Sequence, residues 1–132
     1  MPKRISDVSL HVYLTPDILD SVVHTVRGVV DDHLAEHDIF AWRFTLPVDA
    51  DNCAHGLLES QWRTDNPGLD PGDRCTYEIA LSLVGEPAEL TESGLAVLQR
   101  RLVLGIADRA IPYSIHALHR DSYDFDENRE RI

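Results

Sequence analysis

The sequence predicts a two-layer α+β sandwich, in which a mostly antiparallel sheet carries two helices on one face. Short segments alternate apolar and polar residues with the period of a half-buried strand, and two others repeat apolar residues at helical spacing. The length of 132 residues suits a single domain. We therefore treat residues 1–132 as one domain and expect residues 121–132 to form a polar surface tail.

The N-terminal third predicts a strand followed by a helix. Residues 7–14 alternate strictly, with valines and leucines on one side and Ser9, His11 and Tyr13 on the other. Thr15-Pro16 is typical of a helix start, because proline fits the first helical position. Apolar residues then recur at helical spacing and indicate the buried stripe of the first helix.

The remaining segments predict four further strands and a second helix. Residues 39–48 place Phe40, Trp42, Phe44, Leu46 and Val48 on one side of a strand and Arg43 and Thr45 on the other. We expect strands near 56–63, over 75–84 and over 113–120, and a helix over 92–109 capped by Thr91. Two Pro-Gly pairs make 64–74 an exposed loop.

The order of these elements is β-α-β-β-β-α-β. It resembles the ferredoxin-like folds with one extra hairpin strand, a likeness of topology that implies no particular function. From residue 16 onwards the order α-β-β-β-α-β looks like the tail-terminator and neck ring proteins of tailed phages, although the leading strand departs from it.

The net charge of −11 argues against direct contact with nucleic acid, which requires clustered lysine and arginine. It favours a protein partner with a basic surface, or self-association. No apolar run is long enough for a membrane span, so we expect a cytoplasmic protein. Cys53 and Cys75 are too few for a disulfide framework, and we expect them to be reduced and semi-buried.

The one motif with metal-ligand spacing is His33-Leu-Ala-Glu36-His37. On a helix, two histidines and a glutamate at this spacing can hold zinc, and the inverzincin proteases share the pattern. Such a site needs a third ligand, for which His11, His116 and His119 are the candidates. The motif lies at a helix end, where histidine commonly serves the last carbonyl groups. We therefore expect no metal and no cofactor.

A second candidate site is the sheet face that the helices leave open. If the helices cover the Val8/Leu10/Val12 side, the other side presents His11, Tyr13, Arg43, Glu78 and His116. Histidine, tyrosine and a carboxylate can perform acid–base chemistry inside a closed pocket. Two such sheets packed face to face enclose a pocket, as in dimeric α/β barrels.

These observations favour a non-catalytic, acidic protein–protein interaction module. It would act as an inhibitor, an immunity or anti-defence protein, or a subunit of a larger assembly such as a ring. The alternative is a small-molecule-binding protein or enzyme of the dimeric α/β-barrel type that uses the polar sheet face. Whether the chain is an enzyme stays open, with the lack of catalytic motifs arguing against it.

Overall fold

The structure is a computed structural model that describes residues 4–107 and 111–121. Seven elements follow one another within these residues. They are β1 (Arg4–Leu14), α1 (Pro16–Ala35), β2 (Ile39–Pro47), α2 (Cys53–Asp65), β3 (Cys75–Gly85), α3 (Glu92–Ala107) and β4 (Tyr113–Asp121). The predicted surface tail lies outside the described residues beyond Asp121.

The four strands form one sheet in the order β2-β3-β1-β4, and every neighbouring pair is antiparallel. The strands β1 and β3 occupy its centre, and β2 and β4 are the edges. This is the strand order of the ferredoxin-like fold, so the predicted α+β class and its mostly antiparallel sheet are confirmed.

Local chemistry explains where the helices begin. Pro16 opens α1 as the sequence predicts, because its fixed φ suits the first helical turn and its missing N–H costs nothing there. The Thr91 hydroxyl accepts a hydrogen bond from the Gly94 N–H at 3.0 Å and so caps α3. In the loop before β3, Gly68 and Gly72 have φ values of 79° and 59°, a region that glycine enters without strain.

The main core lies between one face of the sheet and the helices α1 and α3. The alternating residues Val8, Leu10 and Val12 of β1 are fully buried there. Residues Ile79, Leu81 and Leu83 of β3 extend the same layer, as their period of two predicts. The two helices meet this layer with Val22, Val26 and Val30 of α1 and with Leu95, Leu98, Leu102 and Ile106 of α3.

The predicted strand near 56–63 is wrong, because residues 53–65 form the helix α2. The side chain of Asn52 accepts a hydrogen bond from the Ala54 N–H at 2.8 Å and caps this helix. Leu58 and Trp62, four residues apart, form its buried side. The order is therefore β-α-β-α-β-α-β, which also departs from the α-β-β-β-α-β order of the phage ring proteins.

The helix α2 packs on the sheet face opposite α1 and α3. It covers one end of that face, where Leu58 and Trp62 bury Tyr13 in a small second core. The prediction that helices lie on one face only therefore needs correction at this end of the sheet. Cys53 and Cys75, expected to be semi-buried, are both free and exposed.

Candidate functional site

The sheet face opposite α1 and α3, beyond the end that α2 covers, is called the open face here. Strand register assigns its residues, because directly opposed residues of antiparallel strands share a face. From the end covered by α2 outward, the open face has four cross-strand rows: Leu46–Glu78–His11–Ser114, Phe44–Ala80–Ser9–His116, Trp42–Ser82–Asp7–Leu118 and Phe40–Val84–Ile5.

A small polar cluster occupies the middle of the open face. The Ser9 hydroxyl donates a hydrogen bond of 2.5 Å to Glu78 Oε2. His11, the cross-strand partner of Glu78, places Nε2 4.0 Å from the same oxygen. Because the carboxylate lies between the two other side chains, Ser9 is bound to the acid and not to an imidazole base. This arrangement does not activate the serine as a nucleophile.

The five residues predicted to meet on this face are only partly brought together. His11 and Glu78 are neighbours, and His116 lies exposed on β4 opposite Ser9. Tyr13 is 2% exposed under α2 and therefore lies outside the open part of the face. The structure thus builds a pair of neighbouring groups, His11 and Glu78, and not a convergent set of five.

The expected position of Arg43 on the open face is wrong. Arg43 opposes Leu81, whose side chain belongs to the main core, so both lie on the side of α1 and α3. There Arg43 Nη1 donates to Asp31 Oδ1 of α1 at 3.1 Å. The strand β2 is therefore turned the other way from the expectation, and its large apolar residues face outward.

Four consecutive outward-facing residues of β2 are the most conspicuous feature of the open face. Phe40, Trp42, Phe44 and Leu46 are exposed by 76%, 56%, 57% and 52% respectively. We call these four residues the β2 strip. A contiguous apolar patch of this kind on a folded domain is typical of an interaction site. The alternation of 39–48 showed that these residues share a side, but not that this side lacks a cover.

Sequence reasoning also missed a polar cluster under α2. His55 Nδ1 lies 2.8 Å from the Thr76 hydroxyl, and its Nε2 lies 3.1 Å from Glu59 Oε2. Burial raises the pKa of the neighbouring Tyr13 phenol, and the Glu59 carboxylate adds to that rise. These bonds satisfy polar groups between α2 and the sheet, which favours a structural role. A helical assignment of 53–65 would have revealed the i, i+4 spacing of His55 and Glu59.

The histidines of the HLAEH motif lie at the end of α1. His33 is buried. The His37 ring lies tilted against the His33 ring, with 4.7 Å between their centroids. His37 Nδ1 also lies 3.1 Å from Glu89 Oε2. Burial, and secondarily the charge of His37, lowers the pKa of His33. Among the described residues, no group of three or more His, Cys, Asp or Glu side chains is placed to hold a metal ion. Glu36 is the C-cap residue of α1, and its Oε2 lies 3.8 Å from Arg101 Nη1.

Two of the three proposed third ligands are separated from this motif by the sheet. His11 and His116 belong to the open face, whereas α1 covers the opposite face. The side chain of His119 lies outside the described part of the chain. Of the helices that the structure describes, none combines the length and the apolar character that a bilayer crossing requires.

No protein-family model matches the chain, and no curated protein sequence matches it. Solved structures resemble it in fold. The de novo designed protein Foldit4 has a TM-score of 0.51 at 7% identity, over 88% of this chain and 96% of its own. The VAO-type flavoprotein MtVAO615 from Myceliophthora thermophila C1 has a TM-score of 0.52 at 12% identity, over 93% of this chain.

A putative amidohydrolase/peptidase from Burkholderia cenocepacia has a TM-score of 0.50 at 10% identity, over 89% of this chain. The matched regions are 17% of the flavoprotein and 27% of the amidohydrolase/peptidase, so this chain spans less than a third of either protein. At such low identities these likenesses show the fold alone.

Proposed function

We propose that the protein is a non-catalytic protein–protein interaction module that binds through the β2 strip. The observation that carries this proposal is the exposure of Phe40, Trp42, Phe44 and Leu46 by more than half on one continuous side of an edge strand. Folding leaves these side chains in water, so their burial remains available to stabilise a complex.

The composition of the β2 strip supports a protein partner. Aromatic residues dominate the energetic centres of protein interfaces, because they bury a large area with few rotatable bonds. Three of the four residues are aromatic. They also lie side by side at alternate positions of a strand, which supplies a rigid platform without the entropy cost of ordering a loop.

The alternative is a small-molecule site or active site built from the polar side chains. It has less support, because Tyr13 is buried under α2 and Arg43 lies on the other side of the sheet. The remaining pair, His11 and Glu78, forms part of an open sheet face. Chemistry of the acid–base kind is strongest where water is excluded.

The proposal is tested by placing a photo-cross-linking phenylalanine analogue at position 44 in the protein's own cells. The matched control carries the same analogue at Leu104, which is 64% exposed on α3 and lies on the other side of the sheet. We expect a cross-linked product of defined mass from position 44 and not from position 104. Trp42→Ser in the position-44 protein should remove it. Equal labelling from both positions, or none from position 44, would contradict the proposal.

A further inference from the structure

The open face combines a ridge with a trough. The β2 strip forms the ridge along one edge of the sheet. Beside Trp42 and Phe44, the outward-facing residues of the central strands are short: Ala80 and Ser82 on β3, and Asp7 and Ser9 on β1. These four residues are called the trough. Larger residues bound it at both ends: Glu78 and His11 beside Leu46, and Val84 and Ile5 beside Phe40. Leu118, exposed by 65% on β4, borders the trough on its far side.

The shape of the open face is self-complementary. The trough is two strands wide, roughly 10 Å at the usual spacing between strands. Sheets that pack face to face lie about 10 Å apart, so large side chains of one sheet must enter spaces over small side chains of the other. A two-fold axis over the open face would place each ridge over the other copy's trough, which is the isologous arrangement of most dimers.

We propose that the open face, where α2 leaves it uncovered, binds a second copy of this chain face to face, with Trp42 and Phe44 of each β2 strip seated in the partner's trough. This inference rests on the proposed function and names its partner. In this arrangement Trp42 and Phe44 of each copy contact the Ala80 and Ser82 region of the other. The same surface serves both copies, so the contact closes after two subunits.

The available area reaches the lower limit of a specific dimer interface. Aromatic side chains present roughly 150–250 Å² each. At the observed exposures the β2 strip therefore offers on the order of 400–500 Å². It would cover a smaller area of the partner's trough, whose four residues are half-buried. Each copy would then bury on the order of 600 Å², the lower limit of what one partner contributes to a specific interface.

The charge distribution also favours a copy of this chain over a basic partner. All residues of the β2 strip are uncharged, although the chain as a whole carries a net charge of −11. The two carboxylates in or beside the trough already accept hydroxyl hydrogen bonds: Asp7 from Ser82 at 2.7 Å and Glu78 from Ser9 at 2.5 Å. The ridge thus offers a cation no carboxylate, whereas it suits an uncharged apolar surface.

The test is sedimentation velocity of the purified chain across a concentration series, with three variants. We expect the wild type to sediment as a dimer. Phe44→Ser removes part of the ridge, and Ala80→Glu fills the trough with a charge while leaving the ridge intact. Each should raise the dimer dissociation constant about 30-fold or more, the scale of an interface hot spot. Leu104→Ser, which removes an equally exposed leucine from α3, should leave it unchanged.

Each outcome decides the inference. A wild type that stays monomeric at high concentration overturns it, as does a dimer that tolerates Ala80→Glu, since edge-to-edge pairing of β2 would not use the trough. The altered side chains are not in the core, and circular dichroism with urea unfolding verifies that each variant is folded. A monomer whose position 44 still cross-links to a different protein overturns the dimer and leaves the proposed function standing. A monomer without any cross-link removes both.

Discussion

Tyr13 of β1 lies against Trp62 of α2, with 6.3 Å between the ring centroids and 57° between the ring planes. This tilted contact joins a central strand to a helix that packs on the second face of the sheet. It closes one end of that face and leaves the rest open. The Arg74 guanidinium carbon lies over the Trp62 ring, 4.4 Å from the ring centroid, and adds a cation–π contact.

The first prediction concerns the docking of α2. Trp62→Ala should lower the free energy of unfolding by about 3 kcal/mol, because it removes most of the apolar contact between α2 and Tyr13. Urea unfolding followed by circular dichroism measures the loss. Leu57→Ala on the same helix removes a leucine that is 72% exposed and should cost less than about 0.5 kcal/mol. Equal losses in the two variants would show that α2 is not held by this contact.

The sequence predicted six of the seven elements because their patterns are long and regular. The alternation over 7–14 and 75–84 and the helical spacing after Pro16 allow one interpretation each. Residues 53–65 offer only Leu58 and Trp62 as a buried side, with an exposed Leu57 beside them. A stripe of two residues is too short to establish a helical period, so the pattern near 56–63 predicts a strand instead.

The orientation of β2 was missed for a different reason. Alternation shows which residues share a side, but it does not show which side receives a cover. The usual assumption buries the apolar side, and here that assumption places Arg43 on the wrong face. The structure instead gives Arg43 a partner on α1 and leaves the β2 strip exposed. The proposed binding role of the β2 strip explains why the apolar side of this strand is not buried in the fold.

The second prediction follows from the position of Arg43. Arg43 and Asp31 form an ion pair whose side chains are 36% and 58% exposed, so solvent screens their attraction. A double-mutant cycle with Arg43→Ala and Asp31→Ala should give a coupling free energy of about 0.5 kcal/mol in urea unfolding. Raising the salt concentration should reduce it further. A coupling above about 2 kcal/mol would contradict the exposed geometry of this pair.

The third prediction concerns pH. The pKa of His33 is lowered in the folded protein, chiefly by burial, so the unfolded chain binds a proton at His33 more readily than the folded chain does. The stabilising effect of a neutral His33 is therefore fully present above the unfolded pKa of about 6.5 and is lost as the pH falls through the folded value. Below about pH 6.5, His33→Gln should therefore weaken the dependence of the free energy of unfolding on pH.

The control for the pH prediction is His24→Gln, because His24 is exposed on the same helix. Urea unfolding at several pH values between about 5 and 8 measures all three proteins across the range in which histidine titrates. We expect His24→Gln to keep the wild-type slope and His33→Gln to flatten it. A wild-type slope in His33→Gln would show that the buried imidazole does not govern acid sensitivity in this range.

The last prediction separates a second copy from a basic partner by their opposite responses to salt. Two chains with a net charge of −11 repel each other, and this repulsion opposes contact between their uncharged strips. Raising the ionic strength from about 0.1 M to 1 M shortens the screening length from roughly 10 Å to 3 Å. The dissociation constant of the dimer should therefore fall several-fold over this range, as measured by sedimentation equilibrium. A basic protein held by the acidic surface would instead bind more weakly as salt rises. If the dimer weakens with salt, attraction between charges and not burial of the β2 strip holds the two copies together.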